Sequence, residues 1–268
     1  MKDQTWFEAL NVEIKFQRRF FFDNLTLSLK LGESTAVLGP NGAGKSTLAK
    51  LINRNLYPIV KPDSHLKLFG DELINLWQLR QKIGTLTTEI EGRFHPKTTG
   101  IEVVLSGLYG ATRLGRDQRP NQQQLGSVNA LLNRLHLDSI KEEPFGELSD
   151  GQKRRLMLAR AVVHQPEVLV LDEPTRALDL QACHQLLRDL QELCRKGTTL
   201  LLITHRIDAI LPEIERVVFI KQGKIINDGP ARQLLLDQPL SDLYETPLTV
   251  LHHQGFHQVL PNISGCAS

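Results

Sequence analysis

Gly39-Pro40-Asn41-Gly42-Ala43-Gly44-Lys45-Ser46 carries the spacing G-x-x-x-x-G-K-[ST], and each part of that spacing has a chemical reason. The glycines let backbone N–H groups close around phosphate oxygens, and the lysine adds a point charge. The apolar stretch Ser34–Leu38 runs into the loop as a strand, and the segment from Ser46 through Leu51 leaves it as a helix. An anion held there sits at a helix N-terminus, where unsatisfied N–H groups and the helix dipole favour negative charge. In a triphosphate site of this kind Lys45 reaches the β and γ phosphates. The amides of Gly42, Gly44 and Thr47 hold phosphate oxygens, and the Ser46 hydroxyl is a ligand of Mg²⁺.

Magnesium needs a second protein oxygen. Asp172 ends the apolar run Val168-Leu169-Val170-Leu171 and so lies at the carboxyl end of a parallel strand, where open α/β sheets bind ligands. A strand-end aspartate is elsewhere often only a cap; behind a phosphate loop it is expected on the metal. Glu173, next in the chain, is placed to orient or deprotonate the water that attacks the γ-phosphate.

The elements that must hold these residues follow a β/α rhythm. Leu10 to Lys30 alternates as strands do, Leu66–Gly70 is another short strand, and Thr98 to Leu137 is helical with breaks at Gly110, Gly115 and Arg119-Pro120. Gln152 to His164 forms a helix, Val168–Leu171 a strand, Leu180–Arg195 an amphipathic helix stopped near Gly197, and Thr199–Ile203 a buried strand. Such alternation predicts a parallel sheet covered by helices. Beyond Gln238 a hairpin is expected, with strands at Leu248–Leu251 and Phe256–Leu260.

With 41% hydrophobic and 23% charged residues over 268 positions, the composition is that of a globular chain. A formal net charge of +2 gives no reason to expect nucleic acid, and Lys153-Arg154-Arg155 is equally well a solvated helix face. No apolar run is long enough to cross a bilayer. Met1–Trp6 has no apolar core or small-residue cleavage site, so the cytoplasm is the expected compartment. Cys183 and Cys194 fall on one helix, about 16 Å apart along its axis and beyond disulfide reach.

Leu148-Ser149-Asp150-Gly151-Gln152 narrows the reading further, because it resembles the signature motif of ATP-binding cassette (ABC) proteins. The resemblance runs from Asn11 to about Leu236. It implies an α/β fold of the P-loop NTPase type: a RecA-like parallel sheet core with an N-terminal antiparallel β subdomain, an inserted helical subdomain at about 90–150, and a short C-terminal β extension. The expected divisions are 1–240 for the ATPase domain and 241–268 for the extension. In such cassettes two copies pack head to tail with ATP between them, so Ser149, Gly151 and Gln152 are expected to read the nucleotide held by the other copy. A serine hydroxyl, a glycine amide and a helix N-terminus form an anion site with no anion of its own in this subunit. By the same resemblance Asp179, in Ala177-Leu178-Asp179, belongs to the nucleotide interface. His205 contacts the γ-phosphate and steadies Glu173 with its water, and Phe16 stacks on adenine, although its Phe20-Phe21-Phe22 neighbours are mostly core.

The departures from the family pattern carry information. The glutamine expected near the close of Ile83–Glu89 is replaced by Thr88, which unsettles both magnesium sensing and coupling to a membrane domain. Asp150 stands at the centre of the signature, where a carboxylate facing the γ-phosphate would repel it, so it is expected to point away. The tail resembles that of small single-cassette bacterial ATP-binding proteins. Two functions remain open: an ATPase subunit driving a separate transmembrane permease of unknown cargo from the cytoplasmic face of the inner membrane, or a stand-alone soluble ATPase that regulates or remodels a partner. The first predicts a hydrophobic groove beside residues 84–100.

Overall fold

The computed structural model describes residues 4–16, 19–113, 115 and 118–262. In chain order, β1 (Thr5–Phe16) and β2 (Arg19–Lys30) are paired antiparallel, β3 (Thr35–Leu38) is buried at every position, and α1 (Lys45–Ile52) follows the glycine-rich loop. Next come β4 (His65–Leu68), α2 (Leu76–Lys82), β5 (Ile83–Leu86), a single turn α3 (Thr88–Glu91), α4 (Gly100–Leu108) and α5 (Gln122–Arg134). Then follow α6 (Asp150–Val162), β6 (Val168–Asp172), α7 (Leu180–Arg195) and β7 (Thr199–Thr204). The chain closes with β8 (Arg216–Lys221), β9 (Lys224–Pro230), α8 (Ala231–Leu234), α9 (Asp237–Tyr244) and the hairpin β10 (Leu248–His253) and β11 (Phe256–Pro261).

Local chemistry sets the helix starts. Thr99 with Glu102, Asn121 with Gln124, and Ser149 with Gln152 each form a reciprocal capping box, which satisfies two otherwise orphaned N–H groups at the starts of α4, α5 and α6. Asp179 caps α7 through Ala182 N at 2.7 Å. That helix buries Cys183, Leu186, Leu187, Leu190 and Leu193 on one face and ends where Gly197 takes a φ of +100°. Cys183 is buried and Cys194 partly exposed.

Two compact units divide the chain: residues 1–75 with 199–268, and residues 76–198. In the first, β3 lies between β7 and β8, parallel to both, and β9 extends β8 antiparallel. The same unit holds the antiparallel set β2-β1-β4, with Trp6, Phe7 and Phe22 at or below 1% exposure. Parallel strands buried on both faces read as continuous Val/Leu/Ile runs, which is why Ala36-Val37-Leu38 and Leu200–Ile203 were legible as strands. In the second unit, β5 and β6 pair in parallel from Ile83 with Val168 to Leu86 with Leu171, and α4 packs on α5 and α6. Among the described residues no helix is long and apolar enough to cross a membrane.

Candidate functional site

The phosphate-loop sequence leaves the carboxyl end of β3. Because Leu38 is paired with Thr204 of β7, Gly39 and His205 emerge from adjacent strand ends in the same unit. A parallel sheet places consecutive functional loops side by side in this way. Gly39 is there for space: a Cβ would stand 2.0 Å from the Ile220 carbonyl oxygen. Gly42 and Gly44 instead serve backbone conformation, with φ of +79° and +109°. Gly44 is also the N-cap of α1, so no side chain caps that helix.

Lys45 is 6% exposed, and its ammonium donates to the carbonyls of Gly39 at 2.8 Å and Pro40 at 3.1 Å. The lysine thus bridges the loop it belongs to and holds its charge inside it. Asn41, Gly42 and Ser46 are exposed, while Gly39, Ala43 and Thr47 are buried. The loop is further pinned where Gly223 N donates to the Ala43 carbonyl at 2.9 Å. His205 is exposed, and the Tyr244 hydroxyl donates to its carbonyl at 3.2 Å. Sequence reasoning did not reach the Ile220, Gly223 and Tyr244 contacts; only the Gln222-Gly223 turn pair hinted at the second. Phe16 ends β1, but its side chain lies outside the described residues.

The remaining candidates lie in the second unit. Asp172 is the last residue of β6 and only partly exposed, and Glu173 takes a φ of +50°. A non-glycine residue in the left-handed region costs energy, and such strain gathers at functional sites. Ser149 caps α6: Gln152 N donates to its Oγ at 3.2 Å, and Ser149 N donates to Gln152 Oε1 at 2.9 Å. Gly151 leaves no room for a side chain, since a Cβ would meet the Ala182 Cβ at 2.5 Å. Ser149, Gly151, Gln152 and Asp179 together line a cavity of about 300 Å³. Asp150 is exposed in the first turn of α6.

One turn further along α6 is a feature that sequence reasoning missed. Arg154, expected on a solvated face, is 5% exposed. Its guanidinium stands 3.5 Å from Glu91 of α3, and its Nε and Nη1 are buried without hydrogen-bond partners. Burial pulls its pKa below the ordinary arginine value, and Glu91 and Asp150 oppose that shift. Arg155 pairs instead with Asp189 at 2.7 Å and with the Leu135 carbonyl. Thr88, standing where the family glutamine was expected, is exposed at the start of α3.

The surface beside residues 84–100 differs from the apolar groove expected there. Leu86 and Phe94 are buried, with the Phe94 ring 5.4 Å from that of Phe145. A cavity of about 400 Å³ there is lined by His95, Lys97, Thr98, Glu102, Thr112 and Arg113. The apolar side chains of this stretch went to the core, leaving polar and cationic groups outside.

The family model described as ABC transporter matches residues 22–176. An uncharacterised ABC transporter ATP-binding protein of Bacillus subtilis, YlmA, is 28% identical over 249 residues, covering 91% of this chain and 92% of its own. The cobalt import ATP-binding protein CbiO of Rhodobacter capsulatus is 34% identical over 221 residues, covering 81% of this chain and 75% of its own. A dimeric bacterial ABC transporter cassette, MJ0796, shares the fold with a TM-score of 0.69 at 23% identity, over 84% of this chain and 98% of its own.

Proposed function

Because the chain belongs to the ABC transporter family and is an ATPase cassette, we propose that it hydrolyses ATP as a head-to-tail homodimer that powers a separate transmembrane permease. The observation that carries this reading is the exposed, serine-capped N-terminus of α6. Ser149 Oγ accepts from Gln152 N, and a hydroxyl that accepts still has its proton to donate. That proton, together with the Gly151 amide, suits a γ-phosphate brought by a second copy.

Within each copy, Lys45 and the amides of Gly42, Gly44 and Thr47 hold the β and γ phosphates. The left-handed conformations of Gly42 and Gly44 and the side-chain-free cap of α1 fit that task. Ser46, exposed beside the loop, and Asp172, at its strand end, are the oxygen donors suited to Mg²⁺, which when bound neutralises charge developing on the phosphates. Glu173 positions the attacking water and takes its proton; His205 holds the γ-phosphate and Glu173 in register, and Asp179 with Gln152 belongs to the facing half. The similarity to CbiO, named a cobalt import ATP-binding protein, supports the energy-coupling role, and the reading places the chain beside its permease at the cytoplasmic face of the inner membrane. The exposed Thr88 favours the second reading, a stand-alone soluble ATPase.

Glu173→Gln in the presence of MgATP should convert a monomer into an ATP-bound dimer on size exclusion, because binding is kept while water activation is lost. A variant that stays monomeric while binding ATP would remove the dimer from the account. Recovery of a multi-spanning protein from native membranes in mild detergent separates the permease reading from the soluble one.

A further inference from the structure

The C-terminal hairpin carries chemistry that the nucleotide site does not use. β10 and β11 are joined by Gln254 and Gly255, both in the left-handed region at φ of +50° and +81°, a two-residue turn whose twist matches the strands. His253 and Phe256 flank that turn, so the next cross-strand pair, His252 with His257, occupies the non-hydrogen-bonded position where side chains approach most closely. Their ring centroids are 4.8 Å apart at an interplanar angle of 80°. Two imidazoles sharing a metal at about 2.1 Å per nitrogen, with about 90–110° at the metal, hold their centroids about 4.5–5.2 Å apart.

We propose that His252 and His257 form a two-imidazole site for a borderline divalent transition-metal ion such as Zn²⁺, Ni²⁺ or Cu²⁺, with water completing the coordination. Imidazole favours these ions, whereas Mg²⁺ prefers oxygen donors, so this site is chemically distinct from the one at Ser46 and Asp172. The pair is held in place. Val250 N donates to Asp237 Oδ1 at 2.8 Å, Leu248 N donates to Ser241 Oγ at 2.9 Å, and a Cβ on Gly255 would stand 2.8 Å from Pro212. Rigid support of this kind is what a first-time ligand pair needs to bind without reorganising.

His257 is half-buried, with its Nδ1 buried and without a hydrogen-bond partner, so Nε2 is the nitrogen left to face an ion. His252 is exposed, leaving the remaining coordination positions open to water. Among the described residues no group of three or more His, Cys, Asp or Glu side chains could hold a metal, so the site has two protein ligands. A bound ion would tie the two strands together and stabilise the folded hairpin by mass action.

The test is calorimetric titration of Ni²⁺ into the full chain, free of nucleotide and with its cysteines alkylated. We expect a single saturable site. Loss of a supporting outer-shell group typically costs ten- to a hundredfold in metal affinity, so His252→Ala and His257→Gln should each weaken binding by about a hundredfold or more. His253→Ala, on the opposite face of the same hairpin, should leave the affinity unchanged. Should His257→Gln fail to fold, the exposed His252→Ala decides alone. Unchanged affinity in His252→Ala, an equal loss in His253→Ala, or no saturable site in the unmutated chain would each overturn the proposal.

Discussion

The phosphate loop and the signature segment both set a glycine beside the start of a helix, but they prepare that helix end in opposite ways. At α1 the cap is Gly44, in the left-handed conformation and with no side chain. The surrounding backbone, from Ile220 and Gly223, fixes the loop by contact. At α6 the cap is Ser149, whose side chain and backbone are both engaged by Gln152, and nearby stands an ion pair between the buried Arg154 and the partly exposed Glu91. The first site is shaped by steric exclusion; the second adds to a similar steric limit at Gly151 a polar cap and a neighbouring charge pair that is only partly hydrogen-bonded. A sterically shaped site resists added atoms; a polar one resists the loss of a partner.

The largest expected effect tests the polar side of that contrast. Arg154→Met leaves the partly exposed Glu91 without its partner and should destabilise the fold by about 3 kcal/mol, the lower end for a buried pair, whereas Arg154→Met with Glu91→Leu should recover most of the loss. Urea unfolding of the two variants measures the difference, and equal losses would show that the ion pair is not what supports α6. Next come the glycines of the loop. Gly39→Ala should cost about 3 kcal/mol, the upper end of overpacking penalties. Gly42→Ala meets open space and only backbone strain, so about 1–2 kcal/mol is expected. A reversed order would contradict steric shaping at Gly39. Smallest is Thr88→Gln, at an exposed position, with unfolding free energy within about 0.5 kcal/mol of the parent. Its basal turnover or magnesium dependence should nevertheless change, and an unaltered profile would take Thr88 out of the site.

Legibility in the sequence followed the same divide. The loop was readable because its spacing is local and each residue type has one structural use. The bounds of α7 were readable because Asp179 and Gly197 punctuate a regular apolar face. Arg154 was misread as solvated: Lys153-Arg154-Arg155 looks uniform in one dimension, and only the packing of α3 on α6 shows that the middle residue turns inward. The facing of His252 and His257 depends on hairpin register, which the turn at Gln254-Gly255 sets and composition does not reveal. The segment beside Phe94 defied the apolar expectation for a similar reason, since hydrophobicity alone does not say which side chains the core will claim.

Complementation tests the central claim, a site completed by a second copy, most directly. Lys45→Met disables the phosphate loop and leaves the signature intact. Ser149→Asp keeps the helix cap but removes the hydroxyl proton and adds a negative charge where the γ-phosphate is expected. Each variant alone should lose at least about a hundredfold in ATP hydrolysis. Mixed in equal amounts, they form heterodimers with one fully intact site, and activity should return to about a quarter of the parent value if the copies pair statistically. No recovery above the sum of the two separate variants would contradict the composite site.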